Sequence, residues 1–132
     1  MSATFQDLQE TENPTNGSVL DSPASVSKLF ESLSRREPFI FELRGHTGYT
    51  LTIGLAGVLG FAQFSRTDGT PPYNLAVADE ADGQSESIMF LAGNQLTEIP
   101  GRFCMRIGRV EEIATAFVTT GGKSETMRWQ DI

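Results

Sequence analysis

Few residues in this 132-residue sequence are of a type that does chemistry. His46 is its only histidine and Cys104 its only cysteine. A hydrolytic triad needs a histidine beside a nucleophile, with a third group orienting it. His46 instead stands in the turn-forming stretch Gly45-His46-Thr47-Gly48, where a solvated side chain is expected. Cys104, between Phe103 and Met105, has the neighbours of a buried small hydrophobe. Arg102 and Arg106 would share a strand face with it, the one feature that favours a reactive thiolate. A single cysteine forms no internal disulfide, and one His with one Cys makes no zinc quartet.

The remaining patterns are weaker. Asp79-Glu80-Ala81-Asp82-Gly83-Gln84-Ser85-Glu86 is rich in oxygen ligands but lacks the order of a calcium-hand loop and its closing glutamate. Gly54, Gly57 and Gly60 recur at every third residue, whereas a dinucleotide fingerprint needs tighter spacing and a helix after it. Gly122-Lys123-Ser124 resembles the end of a phosphate loop, yet Phe117 stands where its first glycine belongs. Paired carboxylates for glycoside chemistry are a spatial feature that sequence does not display. By elimination the sequence describes a binding protein and not an enzyme, with no cofactor and no metal expected.

Charge narrows the partner. Seventeen Asp and Glu against ten Lys and Arg leave a net charge of -7. That field repels phosphate backbones, so direct nucleic-acid binding is not expected, and it attracts basic protein surfaces. No apolar run approaches the roughly twenty residues that span a bilayer, so no membrane partner is expected. The N-terminus carries neither the basic patch nor the apolar stretch of a signal peptide, and a cytoplasmic location is expected.

The elements follow from periodicity. Residues 1–21 are polar and acidic around Asn13-Pro14-Thr15-Asn16-Gly17, which predicts a flexible arm that Phe5 and Leu8 could tack onto the body. Ser22-Pro23 is a helix start, and Val26, Leu29, Phe30 and Leu33 give the helix one apolar face. Arg35-Arg36 closes it with positive charge, and Pro38 stops it. Phe39–Arg44, Tyr49–Ile53 and Val58–Phe64 alternate as strands joined by tight turns, an antiparallel meander. Tyr73–Val77 and Ile88–Leu91 are further strands, and Thr97–Pro100 is extended. Val110, Ile113, Ala114 and Phe117 mark a second helix, with Glu111 and Glu112 in its first turn and Gly121-Gly122 at its end. Glu125–Trp129 closes the chain as a short strand whose Glu125, Met127 and Trp129 share a face. The expected architecture is α+β: a mostly antiparallel sheet of about five to six strands, an N-terminal and a C-terminal helix packed on it, and one domain over residues 22–132.

Three stretches in the second half point to a family. They are Phe90-Leu91-Ala92-Gly93-Asn94-Gln95-Leu96-Thr97-Glu98-Ile99-Pro100, Glu111-Glu112-Ile113-Ala114-Thr115-Ala116-Phe117-Val118-Thr119-Thr120-Gly121, and Ser124-Glu125-Thr126-Met127-Arg128-Trp129. Together they resemble immunity proteins of bacterial polymorphic toxin systems, in the family usually found beside deaminase-superfamily toxins. The layout matches over roughly residues 39–132 and the motifs are specific from Phe90 onward. Gly122-Lys123-Ser124 departs from it, since the family commonly has a basic residue and proline after the glycine.

The resemblance implies an α+β fold, no catalysis, and inhibition of a cognate toxin by tight binding over its active site. It also implies shaping roles for Gly93, Asn94, Pro100 and Gly121, and core roles for Phe117 and Trp129. A deaminase cleft that handles nucleic acid should be basic. On that basis Asp79, Glu80, Asp82 and Glu86, then Asp68, are candidate partner contacts, and Glu98 joins them as a motif carboxylate that must be solvated, paired or in contact. Tyr49, Phe61 and Tyr73 are possible aromatic anchors. Two other readings stay open: a small-molecule-binding or enzymatic α+β domain, and an immunity protein against a nuclease or another toxin.

Overall fold

In the computed structural model, which describes residues 1–33, 36–79 and 83–132, the chain is an α+β protein. The meander forms β3 (Phe39–Gly45), β4 (Tyr49–Ala56) and β5 (Leu59–Arg66), in the registers Phe41↔Ile53 and Ile53↔Ala62. On one side of it β6 (Asn74–Val77) pairs with β5 and β10 (Arg128–Asp131) pairs with β6. On the other side β1 (Ala3–Asp7) pairs with β3, and β2 (Val19–Leu20) pairs with β1. The two-residue β9 (Met105–Arg106) joins the start of β5.

The strand count exceeds the five to six expected: Ala3–Asp7 and Val19–Leu20, in the stretch expected to be an arm, are strands of the sheet, and Gln95–Ile99 and Met105–Arg106 add two more. Ala3, Phe5 and Asp7 alternate inward and are fully buried, with Phe5 opposite Leu43. Asp7 is what ties down the residues after β1. Its Oδ1 accepts the backbone N–H groups of Gln9 (2.9 Å) and Glu10 (2.8 Å). Its Oδ2 accepts the Asn13 amide (3.0 Å) and the Arg36 guanidinium (2.6 Å). Gly17 then donates to Phe5 O (2.8 Å), closing the loop back onto β1. A buried carboxylate is tolerated because every donor around it is aimed at it.

Both helices cover one face of the sheet. α1 (Pro23–Leu33) begins at a reciprocal cap, Ser25 N donating to Ser22 Oγ and Ser22 N to Ser25 Oγ, each at 3.1 Å. It buries Val26, Phe30 and Leu33. Arg36 does not serve as its closing charge; it pairs with Asp7, and its guanidinium carbon lies 3.6 Å from the centre of the Phe39 ring. Arg35 lies outside the described residues. α2 (Ile107–Thr120) starts a turn earlier than the apolar pattern indicates, so Glu111 and Glu112 stand in its second turn, not its first. It ends at Gly121, in the left-handed conformation (φ 77°), with the Gly121 N–H on Phe117 O at 2.7 Å.

The opposite face is covered too, which the sequence did not foretell. β7 (Ile88–Ala92) and β8 (Gln95–Ile99) form a separate hairpin, and Phe90, Ile99, Phe103 and Cys104 pack with Ile40, Phe61 and Leu75. Gly54 makes the space. A Cβ there would lie 2.2 Å from the Phe61 ring and 2.7 Å from Phe90, whose rings meet edge-on at 4.8 Å. The glycine periodicity is thus a packing feature: Gly54 admits two aromatic rings, Gly57 turns with φ 63°, and Gly60 lies under Gly54 O and Val110.

Candidate partner-binding surface

The family-like motif Phe90–Pro100 is the β7–β8 hairpin. Gly93 (φ 57°) and Asn94 (φ 63°) form its two-residue turn, with Ala92 opposite Gln95. Two successive positive φ values are those of a type I′ turn, whose twist suits a hairpin. The tip is held by the segment after β1. Gly93 N donates to Leu8 O (2.9 Å), Asn94 N to Gln9 Oε1 (2.8 Å), and Gln9 Nε2 to Asn94 Oδ1 (2.6 Å).

Strand alternation divides the hairpin into two faces. Ile88, Phe90, Ala92, Gln95, Thr97 and Ile99 are on the inner one, and its centre, Phe90, is fully buried. The outer one carries Met89 opposite Glu98 and Leu91 opposite Leu96. Met89 is 41% and Leu96 64% exposed, Leu91 is half-buried, and Glu98 is exposed. Beyond the hairpin, Pro100 leads into a 3-10 turn, Gly101–Phe103. The loop before β7 crosses Gly101 so closely that a Cβ there would meet Gln84 O at 2.2 Å and Glu86 O at 2.4 Å.

The described candidate carboxylates do not all lie at one end of the sheet: Asp68 precedes β6 and Asp79 follows it. Asp79 follows β6, and Arg109 Nη2 approaches its Oδ2 at 3.7 Å. Glu86 is exposed in the loop that precedes β7, and Glu98 is on the outer face of β8. Asp68 lies at the opposite end of β6, in the β5–β6 connection. The Thr70 hydroxyl (2.6 Å) and N–H (2.9 Å) on its Oδ1 hold that carboxyl below the usual range. Glu80 and Asp82 lie outside the described residues. Of the aromatic candidates, Phe61 is core, Tyr73 donates its hydroxyl to Gly69 O, and Tyr49 stacks on Phe64 at 4.9 Å. Phe117 is buried, whereas Trp129 is half-buried, with Nε1 on Ser124 O at 3.0 Å. Glu125 is exposed in the turn before β10 and lies outside that strand.

The residues weighed for catalysis stay apart. His46 is exposed in the β3–β4 turn. Cys104 is fully buried, and desolvation pushes its thiol up to about 11, the opposite of an activated thiolate. Arg102 does not draw it down, since that guanidinium lies over the Phe103 ring. Among the described residues no three His, Cys, Asp or Glu side chains are placed to hold one cation. Among the described residues no helix is long and apolar enough to cross a membrane.

The family model for Immunity protein Imm1 matches residues 15–131. The chain belongs to the Imm1 immunity protein family. The Imm1 match takes in α1 and the whole meander, well upstream of the motif stretch that first suggested an immunity protein. It begins after Gln9, so the clasp on the Gly93-Asn94 turn is made by residues that precede the matched region. A search of curated proteins finds no match. Membership makes a cognate toxin the expected partner of this Imm1 chain.

The sequence singled out carboxylates and overlooked the apolar residues beside Glu98. The signal was present in Ile88-Met89-Phe90-Leu91, which is apolar at both parities. A strand with one face on the core should alternate, so an unbroken apolar run means that its second face is also apolar.

Proposed function

We propose that this chain is a non-enzymatic immunity protein that neutralises a toxin of the deaminase superfamily in the cytoplasm, by binding it tightly and covering its active site. The observation that carries the immunity role is the Imm1 family match over residues 15–131. The deaminase assignment rests on the resemblance of the Phe90–Pro100, Glu111–Gly121 and Ser124–Trp129 stretches to immunity proteins found beside such toxins. Charge supports a basic partner, because a surface with net charge -7 speeds encounter with a cationic cleft and competes with its anionic substrate. Glu86, Glu98, Asp79 and Asp68, with Glu80 and Asp82, remain this chain's candidate contacts. A small-molecule site has less to recommend it. The cleft between β6, α2 and residues 126–128 holds about 130 Å³, below the roughly 300–1,000 Å³ of ligand pockets. The wider hollows, about 500 Å³ at residues 47–49 and 66–68 and about 450 Å³ at residues 10–14, are lined mainly by polar loop residues, whereas ligand pockets are mostly apolar.

The test is co-expression with the toxin domain encoded beside this gene, scoring survival and co-purification together. Rescue with a stable one-to-one complex is expected. A deaminase assay on the toxin alone then decides its class: activity on a nucleobase supports the assignment, and nuclease activity moves the protein to a different toxin while keeping the immunity role. Toxicity without rescue, with this chain folded, overturns the reading.

A further inference from the structure

Among the described residues, Met89 and Leu96 on the outer face of the β7–β8 hairpin are exposed and belong to neither hydrophobic core. Leu96 and Met89 are diagonal neighbours on adjacent strands, with Leu91 and Glu98 completing the quartet. An antiparallel sheet that turns one face to water usually makes that face polar. Here three of the four outward residues are apolar. The other large exposed hydrophobics are dispersed: Val58 in the β4–β5 turn, Val19 on β2, Tyr49 stacked on Phe64, and Met1 and Ile132 at the chain ends. Scattered apolar residues need no explanation, but a cluster does.

The surroundings of the cluster are acidic. Glu98 is part of it, and Glu86 stands two residues before β7. On the far side, Leu91 borders a shallow cleft lined by Glu10, Glu37 and Arg36. Arg36 turns inward, with Nη1 2.6 Å and Nη2 3.6 Å from the carboxylates of Asp7 and Glu10. Its charge is therefore engaged by Asp7 and Glu10, and Glu37, Glu86 and Glu98 are the carboxylates that give the rim its sign. An apolar centre with a charged rim is the anatomy of a protein interface. A further trait suits docking: among the described residues no strand pairs with the outer edge of β8. The clasp from Leu8 and Gln9 holds the hairpin tip in place, so ordering it on binding costs little.

We infer that the outer face of the β7–β8 hairpin is the surface that seizes the toxin, with Met89, Leu91 and Leu96 receiving an apolar projection of the partner and Glu98, Glu86 and Glu37 meeting lysines or arginines around it. This rests on the proposed immunity function and names the part of the molecule that performs it. The occupant is a basic surface of the cognate toxin, as charge complementarity with the acidic rim requires. A second copy of this chain is disfavoured as occupant, because it would set like charges against each other.

The experiment is binding of the purified toxin domain, in catalytically inactive form, to the full chain and to three variants. Met89→Ser with Leu96→Ser removes apolar surface without altering charge, and should raise Kd at least 100-fold, mainly through faster dissociation. Glu98→Lys with Glu37→Lys should slow association at least tenfold and flatten its salt dependence. Val58→Ser, an exposed apolar residue elsewhere, should leave Kd within twofold. Hydrogen exchange on the wild-type complex should protect residues 88–99, which checks the surface without relying on a variant. Wild-type affinity retained by the Met89/Leu96 double variant, or protection confined to the Tyr49–Asp68 end, overturns this inference and leaves immunity standing. A wild-type chain that neither binds nor rescues overturns both. A concentration-dependent dimer of the free chain that Leu96→Ser abolishes assigns the face to self-association and overturns it as well.

Discussion

Replacing Asp7 by Ala should unfasten the N-terminal strand, and the size of the effect follows from what the carboxylate holds. Four donors converge on it: the Gln9 and Glu10 amides, the Asn13 side chain and the Arg36 guanidinium. Breaking a buried pair by removing one partner costs about 3–5 kcal/mol. The Arg36 side chain keeps 22% exposure, so water relieves part of that cost, and we expect about 2–4 kcal/mol. With an unfolding entropy of about 2.1 cal/mol/K per residue, that lowers Tm by roughly 7–14 °C. Asp7→Asn keeps an acceptor for the two amides and should lose about half as much.

The pH dependence gives a second reading of the same interaction. Burial works to raise the Asp7 carboxyl, but Arg36, the Glu10 and Gln9 amides and Asn13 together hold it below the usual carboxylate value. The folded chain therefore releases this proton more readily than the unfolded one. Its contribution is complete above the unfolded value of about 3.9, and is lost as pH falls through the depressed folded value. Thermal unfolding followed by circular dichroism at pH 7, 5 and 3 should show wild type and Asp7→Asn far apart at the first two and converging at the last. A Tm for Asp7→Ala within about 2 °C of wild type, or a gap that does not narrow at pH 3, would refute the assignment of Asp7 as the clasp.

Three further outcomes test the packing. Ser22→Ala removes the acceptor for Ser25 N and should cost about 1 kcal/mol in chemical denaturation, while Ser22→Asp should recover most of it. Gly101→Ala places a Cβ against the fixed carbonyls of Gln84 and Glu86, so the loop before β7 must lift. Faster amide exchange of Gln84, which donates to Gly101 O at 3.0 Å, is the readout. Cys104 should resist a thiol reagent at pH 8 in the folded protein and react in full once denaturant exposes it, because its thiol is buried and pushed up to about 11.

Elements with an unambiguous period were legible in the amino-acid sequence: the meander, the Ser22-Pro23 start of α1, the Gly121 end of α2 and the Gly93-Asn94 turn. Those that escaped did so for physical reasons. β1 was hidden because its third inward position is a carboxylate, and a buried Asp is indistinguishable from a solvated one until Arg36 and the loop amides are seen around it. The α2 start was placed late because Gly108 and Arg109 dilute its apolar pattern before Val110. The hairpin looked like part of the main sheet because nothing local reveals that Gly54 clears room for Phe61 and Phe90 on the opposite face. For the candidate surface, Glu98 was reached through its motif. Asp68 and Asp79 were reached through charge alone, and the sequence does not show how far apart the ends of β6 hold them.

The hairpin's alternation also bears on how such a protein can change. A slip of one residue would exchange its two faces, and the paired left-handed residues Gly93 and Asn94, with Gln9 gripping the turn, oppose that slip. Residues of the inner face are answerable to the core, while Met89, Leu96 and Glu98 are answerable to almost nothing inside the molecule. Heritable variation can therefore accumulate on the outer face at little thermodynamic risk. A lineage of such proteins could follow a drifting adversary by rewriting a few outward letters while the scaffold beneath stays the same.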